Sequence, residues 1–268
     1  KEHEDTMANI FRYEDILDRR DSMATVIMNE LDEFKKQFGR KRRTVIENGQ
    51  EAVFEEKKVE EMEVVFLMDR FNYCRTVDVA TYERNKEAAD AENRFVFRCK
   101  NTGKVCLFTS DGQMHTVKVL DVPFGKFRDK GTPIDNISNF STGKDTLIYA
   151  TSQTFLNLYR VIFVTKQSMM KIVDGGEFDV TKRTVAATKL ADDDEVVSVM
   201  ALTDQRNIVL QTTEGYFLRF PLEEIPEKKK AAIGVRGMKL GQKDYVEAVY
   251  YTVNAAEQTI EYKSKKIE

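Results

Sequence analysis

The stretch VIFVTKQSMMKIV, Val161–Val173, decides how the rest of the chain is read. An apolar, β-rich run enters a polar Thr-Lys-Gln-Ser break, and a second apolar run carrying one lysine leaves it. Two such runs around a short break predict a β-hairpin. Three other stretches can be laid over this one: VVFLMDRFNYCRTV from Val64, VCLFTSDGQMHTVKV from Val105 and IVLQTTEGYFLRF from Ile208. Gly112 and Gly215 stand at the turn in two copies, and Phe71 and Ser168 hold the equivalent place in the others. A fifth, weaker copy falls near Ser264, in TIEYKSKKI.

The turn positions lie 41, 56 and 47 residues apart. That period is close to the ~40–50 residues of a propeller blade. A lone blade cannot bury both faces of its sheet, so repeats of this size imply a toroid. The expected fold is mostly β: a propeller-like disc of about five blades, preceded by one α-helix. A single irregular β-sandwich is the alternative. The helix is read from Ile10 to Phe38, where Ile10, Tyr13, Leu17, Ala24, Ile27, Leu31, Phe34 and Phe38 recur at helical intervals. Gly39 follows as a C-cap, and the basic run Arg40–Arg43 suits the negative helix end. The expected division is a connecting helix over residues 1–44 and a β domain over residues 45–268.

The chain has 268 residues, 41% of them hydrophobic and 32% charged, with a net charge of −3. The content supports a core, and the net charge argues against a simple DNA-coating protein without excluding a local basic face. No stretch is long and apolar enough for a membrane span. The first ten residues lack the apolar centre of a signal peptide, and the start reads as that of a piece of a longer protein. Cys74, Cys99 and Cys106 form no Cys-x-x-Cys pair and read as reduced core cysteines of a cytoplasmic protein.

The charge is uneven. Residues 1–94 hold 17 basic and 23 acidic side chains, residues 95–190 hold 14 and 8, and residues 191–268 hold 11 and 14. The middle blades are therefore basic against an acidic background. Within the hairpins, Arg75, Lys118, Lys171 and Arg219 follow the turn in each copy. A position repeated in every blade maps to one rim, and a curved basic rim suits a bent duplex held through its phosphates. Lys104, Lys118, Lys166, Lys171, Lys182 and Arg183 form the expected centre of the arc. Arg75, Arg219, Arg236 and Lys239 extend it. A protein-binding propeller is the competing reading, with an apolar or acidic face and little salt dependence.

Catalytic signatures are weak. STGKD at Ser141–Asp145 lacks the spacing of a phosphate loop, and Gly234, Gly237 and Gly241 do not fit Gly-x-Gly-x-x-Gly. Asp192–Asp194 reads as a turn, and His3 and His115 have no metal-ligand neighbours at useful spacing. No catalytic constellation and no metal site is expected.

Several stretches together resemble the C-terminal domain of the A subunit of bacterial type IIA topoisomerases, DNA gyrase and topoisomerase IV. They are DDDEVVSVMALTDQRNIVLQTTEGYFLRFPLEEIPEKKKAAIGVRGMKLGQKDYV, VIFVTKQSMMKIV and CLFTSDGQMHTVKVLDVP. The helical stretch from Tyr13 to Ile46 is similar to the segment that enters this domain from the coiled-coil. The resemblance implies a β-pinwheel whose blades exchange a strand and whose rim binds and bends double-stranded DNA. It implies that the DNA-attacking tyrosine lies outside this stretch. No cofactor is expected here, with ATP and Mg on other domains of the holoenzyme. The implied partners are DNA, the B-type ATPase of the holoenzyme and a second copy of the A subunit, in the cytoplasm at the nucleoid. GVRGMKL, Gly234–Leu240, is then an interblade loop whose glycines approach phosphates beside Arg236 and Lys239. One departure bears on function. Where gyrase A subunits carry a Gln-Arg-Arg-Gly-Gly-Lys-Gly box, this chain has YERNKEAADAENR, Tyr82–Arg94, without a glycine. That favours a topoisomerase IV-like subunit over a gyrase with a degenerate or displaced box.

Overall fold

The computed structural model describes residues 1–44, 60–253, 259–262 and 264–267. It divides into two compact units, Lys1–Lys57 and Lys58–Glu268. The boundary expected at residues 44–45 abuts a stretch outside the described residues.

The first unit holds two helices, α1 (Glu2–Asp18) and α2 (Arg20–Phe38), where one was expected. They are interrupted at Arg19, which is extended at φ −114° and ψ 119°. Asp15 spans the break, accepting from Ser22 Oγ at 2.6 Å and from the Arg19 guanidinium at 3.4 Å. Apolar positions recur on both sides of Arg19, so periodicity alone does not reveal the interruption. Gly39 is the C-cap, as expected, and its N–H donates to the Lys35 carbonyl.

The second unit is built from hairpins. The first sheet contains β1 (Glu63–Asp69) and β2 (Tyr73–Asp78), then α3 (Val79–Arg84) and α4 (Lys86–Glu92), then β3 (Asn93–Lys100). The second is seeded by β4 (Lys104–Thr109) and β5 (Gln113–Lys118), followed along the chain by β6 (Thr132–Pro133), β7 (Leu147–Ser152) and α5 (Gln153–Leu156). The third is seeded by β8 (Arg160–Thr165) and β9 (Met169–Asp174), followed by β10 (Thr184–Ala186) and β11 (Val196–Leu202). The fourth is seeded by β12 (Asn207–Thr212) and β13 (Phe217–Pro221), followed by β14 (Val235–Arg236) and β15 (Val246–Thr252). A two-stranded hairpin, β16 (Ile260–Tyr262) and β17 (Lys265–Ile267), comes last. The expected fifth copy is therefore present around Ser264.

Each hairpin turns at a residue of positive φ: Asn72, Gly112, Ser168, Gly215 and Ser264. In the first copy the turn residue is Asn72, one place beyond the expected Phe71. Asparagine tolerates the left-handed conformation far better than phenylalanine. In the first four hairpins the turn N–H closes onto the carbonyl three residues back, as in Ser168 to Thr165 at 2.9 Å. The side chain at that earlier position often seals the turn as well. Thr165 Oγ1 accepts from the Met169 N–H, and Asp69 Oδ1 accepts from Phe71 and Tyr73.

The sheet orders are β3-β1-β2-β6, β10-β5-β4-β7, β11-β8-β9-β14 and β13-β12-β15. β6 follows β5 in the chain but pairs with β2 of the first sheet. β10 likewise pairs with β5, and β14 with β9. Each of these blades thus receives its outermost strand from the blade after it. The cores lie between neighbouring blades. Along β4, Val105 and Leu107 pack with Phe66 and Met68 of the first sheet, while Cys106 and Phe108 pack with Val161 and Phe163 of the third. Along β8, Ile162 and Val164 turn to Ile208 and Leu210 of the fourth. Burial on both faces explains why the inner strands read as unbroken apolar runs. This is a mostly β, propeller-type fold with exchanged strands. Cys74, Cys99 and Cys106 are free and buried, and burial pushes each thiol up to about 12.

Candidate nucleic-acid interface

Strand exchange creates a repeated structural feature. To hand a strand back, the chain crosses over after the second, third and fourth hairpins, through a short 3-10 turn and a loop. The crossovers run through residues 119–131, 175–183 and 222–234. Each loop carries a basic cluster just ahead of the exchanged strand. The clusters are Lys126, Arg128 and Lys130, then Lys182 and Arg183, then Lys228, Lys229 and Lys230. All are exposed except Lys230, which is half-buried. Each cluster lies on a connection that leads into an exchanged strand.

Two of the loops are near copies. Pro123–Gly131 and Pro226–Gly234 have equal length, start at a proline and end at a glycine of positive φ, +78° and +107°. The Thr76 N–H donates to Pro123 O, and the Ile172 N–H to Pro226 O. A Cβ on Gly131 would sit 2.3 Å from Cys74 O, and one on Gly234 would sit 2.4 Å from Met170 O. Both glycines are required by this close approach to the sheet they cap. In GVRGMKL, the Gly237 N–H donates to Ser168 O and the Met238 N–H to Ser168 Oγ. A Cβ on Gly237 would overlap the Met170 side chain, 2.2 Å from Cε. Gly234 and Gly237 therefore serve the packing of the blade-3 hairpin, which corrects the expectation that they bring backbone to a phosphate. Arg236 and Lys239 remain exposed beside this turn.

The expected ring of Arg75, Lys118, Lys171 and Arg219 is also corrected. Counted from the positive-φ residue, these lie three, six, three and four places on. Register shows which positions match: Leu67 faces Arg75, Leu107 faces His115, Phe163 faces Lys171 and Leu210 faces Leu218. In the first and third blades that position lies beneath the crossover. Lys171 is 0% exposed. Its Nζ donates to the carbonyls of Lys229, Lys230 and Ala232 at 3.3, 2.6 and 2.7 Å. Burial pushes the ammonium down to about 8. Arg75 is 8% exposed, with its guanidinium over the Phe127 ring at 5.7 Å. Neither side chain is available to a duplex on the rim.

The remaining expected residues fall into groups. Lys104 and Lys118 face each other directly across β4 and β5. With Arg183, Thr116, Thr181 and Asp121 they line a cavity of about 140 Å³. Lys182 adjoins it, and its carbonyl accepts from Thr116 Oγ1. Like charges directly opposed across a ladder repel, and an anion between them relieves that repulsion. Lys104 Nζ is partly engaged, donating to Val180 O at 3.1 Å. Lys166 sits at the blade-3 hairpin tip, 3.8 Å from Glu195 and over the Tyr245 ring. Arg219 is exposed on β13, opposite Val209.

Sequence reasoning missed the first and third crossover clusters. The signal was present: PFGKFRDKG and PEKKKAAIG share a Pro-to-Gly frame filled with basic residues. Where a gyrase box would stand, α3 and α4 fold instead. The Asp78 side chain caps α3 by accepting from the Thr81 N–H at 2.7 Å, and the Tyr82 hydroxyl donates to Asp90 at 3.0 Å. Arg98 of β3 holds Glu83 at 2.6 Å. Among the described residues, no group of three metal-ligating side chains comes together, and no helix is long and apolar enough to cross a membrane.

Comparison with known proteins agrees with this geometry. A family model described as the DNA gyrase C-terminal domain, beta-propeller, matches residues 159–203 and 206–252, the third and fourth repeats. The DNA gyrase A subunit of Lawsonia intracellularis is 29% identical over 260 residues, 92% of this chain and 32% of that protein. The gyrase A subunit of Helicobacter pylori (strain J99) is 27% identical over 244 residues, 86% and 30%. The chain thus spans about a third of the length of the curated relatives it matches. Among solved structures, the C-terminal domain of a DNA topoisomerase IV superposes with a TM-score of 0.65 at 22% identity, covering 73% of this chain and 62% of that one. The E. coli ParC C-terminal domain superposes at 0.61 and 14% identity, covering 76% and 85%. Blade sequences and fold together bear out the resemblance: this chain is similar to the C-terminal domains of the A subunits of bacterial type IIA topoisomerases.

Proposed function

We propose that the chain is a module that binds and bends double-stranded DNA within an A subunit, positioning a duplex segment for ATP-dependent strand passage. The observation that carries this reading is the basic cluster repeated on three successive crossovers, joined in the middle by the Lys104–Lys118–Arg183 cavity. Charges spaced around a curved edge neutralise phosphates without reading bases. Their summed attraction offsets a bending cost of order a few kcal/mol. ATP, Mg, the B-type ATPase and the dimeric partner belong to other parts of the assembly in this reading. Charge reversal tests it. Lys104, Lys118 and Arg183 changed together to Glu should abolish the duplex gel shift while circular dichroism stays that of the wild type. Unchanged affinity sinks the reading.

Within the family, the reading favoured here is a topoisomerase IV-like subunit that bends DNA without wrapping it. It is supported by α3 and α4, a capped and partly acidic insert in the place of a tight basic latch. The gyrase reading is favoured by the curated relatives named above, both of them gyrase subunits. Ligation of nicked circular DNA with the chain bound separates the two. An unchanged linking number supports bending alone. A consistent positive writhe supports a gyrase whose latch is another basic loop.

A further inference from the structure

Arg75 and Lys171 occupy one register position under two near-identical crossovers, yet only Lys171 is answered. Three carbonyls of its loop receive its Nζ. Among the described residues Arg75 has neither a hydrogen bond nor an ion pair, and its Nε is buried without a partner. A buried N–H without an acceptor is unfavourable, so the site favours a group that supplies one. Space is present. A cleft of about 530 Å³ opens beside Arg75, between the α3–α4 insert and the Pro123–Gly131 loop. Arg128 and Lys130 stand on its loop side. Of its three carboxylates, Glu92 lines both the cleft and the adjoining recess, and the other two are already engaged. Asp69 Oδ1 accepts from Phe71 and Tyr73, and Asp129 Oδ2 accepts from Lys126. The adjoining recess, also lined by Arg75, holds Asn93, whose buried Oδ1 lacks a donor. Asn93 Nδ2 is fixed on Ala89 O at 2.8 Å, which turns the oxygen away as an acceptor.

We infer that this cleft binds a small phosphate-class anion, hydrogen phosphate, with Arg75 at its floor and Arg128 and Lys130 at its mouth. The ligand must offer anionic oxygens to the guanidinium and one hydroxyl to Asn93. Hydrogen phosphate has both at neutral pH. A phosphodiester of duplex DNA has no such hydroxyl, and the depth of Arg75 keeps a duplex out. Arg128 and Lys130 also belong to the proposed DNA edge, whereas Arg75 and Asn93 belong to this cleft alone, so Arg75→Met separates the two sites.

Calorimetric titration of the whole chain with inorganic phosphate, at ionic strength held constant with chloride, is the test. Saturable binding is expected, weakened about tenfold or more in Arg75→Met, as for loss of a charge-assisted hydrogen bond. Arg128→Gln, a change on an exposed loop, should weaken it several-fold and covers the case in which Arg75→Met fails to fold. Sulfate, without a hydroxyl at neutral pH, should bind more weakly. Duplex affinity measured on Arg75→Met should stay at the wild-type value. Absence of saturable phosphate binding overturns the inference, as does equal binding by wild type and both variants. Equal affinity for sulfate, or loss of duplex binding in Arg75→Met, overturns the assigned ligand class.

Discussion

The crossovers of the first and third blades have the same length, the same proline and glycine ends and the same backbone contacts, but they are held from beneath in different ways. Under the third, Lys171 clamps three carbonyls of the loop it supports. Under the first, Arg75 rests on Phe127 and leaves a cleft. A compact ammonium with three donors can gather carbonyls at short range. A planar guanidinium spreads its donors in a fixed fork and suits an oxyanion better. One repeat position therefore serves as a structural clamp in one blade and as the floor of a cleft in another. Basic residues at matching places in a repeat need not share a task.

The comparison can be broken most severely at what the loops share. Gly234→Ala places a Cβ against Met170 O from a backbone of φ +107°. It should destabilise the second unit by about 3 kcal/mol in urea unfolding. Gly131→Ala should cost a similar amount. Near-zero effects would show that the loops do not need this close approach.

Next comes what the loops do not share. Lys171→Met leaves the Lys230 and Ala232 carbonyls without a donor, while Lys229 O keeps the Ala232 N–H, and should cost about 2–3 kcal/mol, tempered by removal of a desolvated charge. Arg75→Met, measured in phosphate-free buffer, should change stability by less than about 1 kcal/mol, since no hydrogen bond is lost. Equal costs would erase the distinction.

A smaller effect sharpens it. Burial lowers the Lys171 ammonium from 10.5 to about 8 in the folded chain. The unfolded chain then binds more protons between about pH 8 and 10.5. Stability should therefore rise with pH across that window, with the burial cost of the charge carried in full below it. Unfolding of wild type beside Lys171→Met at pH 7.5, 9 and 10 reads this directly. The rise should appear as a gain of wild type relative to the variant. A parallel response of the two proteins would contradict it.

How much of this was legible in sequence follows from burial. The inner strands β4 and β8 are enclosed on both faces, so each blade announced itself as an apolar run with a polar turn. The exchanged strands are two or three residues long, too short for any periodicity to mark them. Their positions follow only from pairing. The basic ring failed because Arg75, Lys118, Lys171 and Arg219 were matched by charge, whereas register follows the residue of positive φ, which is Asn72 in the first blade. Lys104, Lys118, Lys182 and Arg183 were legible as a basic segment, and the fold brings three of them around one cavity. The break at Arg19 left no trace because the apolar spacing continues across it.

The salt dependence of duplex binding tests the central claim most directly. The logarithm of affinity against the logarithm of salt should fall with a slope of several units for the wild-type chain. Each crossover lysine or arginine that meets a phosphate, changed singly to Gln among Lys126, Arg128, Lys182, Arg183, Lys228 and Lys229, should reduce that slope by about one. Lys171→Met should leave it unchanged. A flat salt response, or a slope lost with Lys171 and kept without the loop residues, would contradict the assignment of the crossovers as the DNA-binding edge.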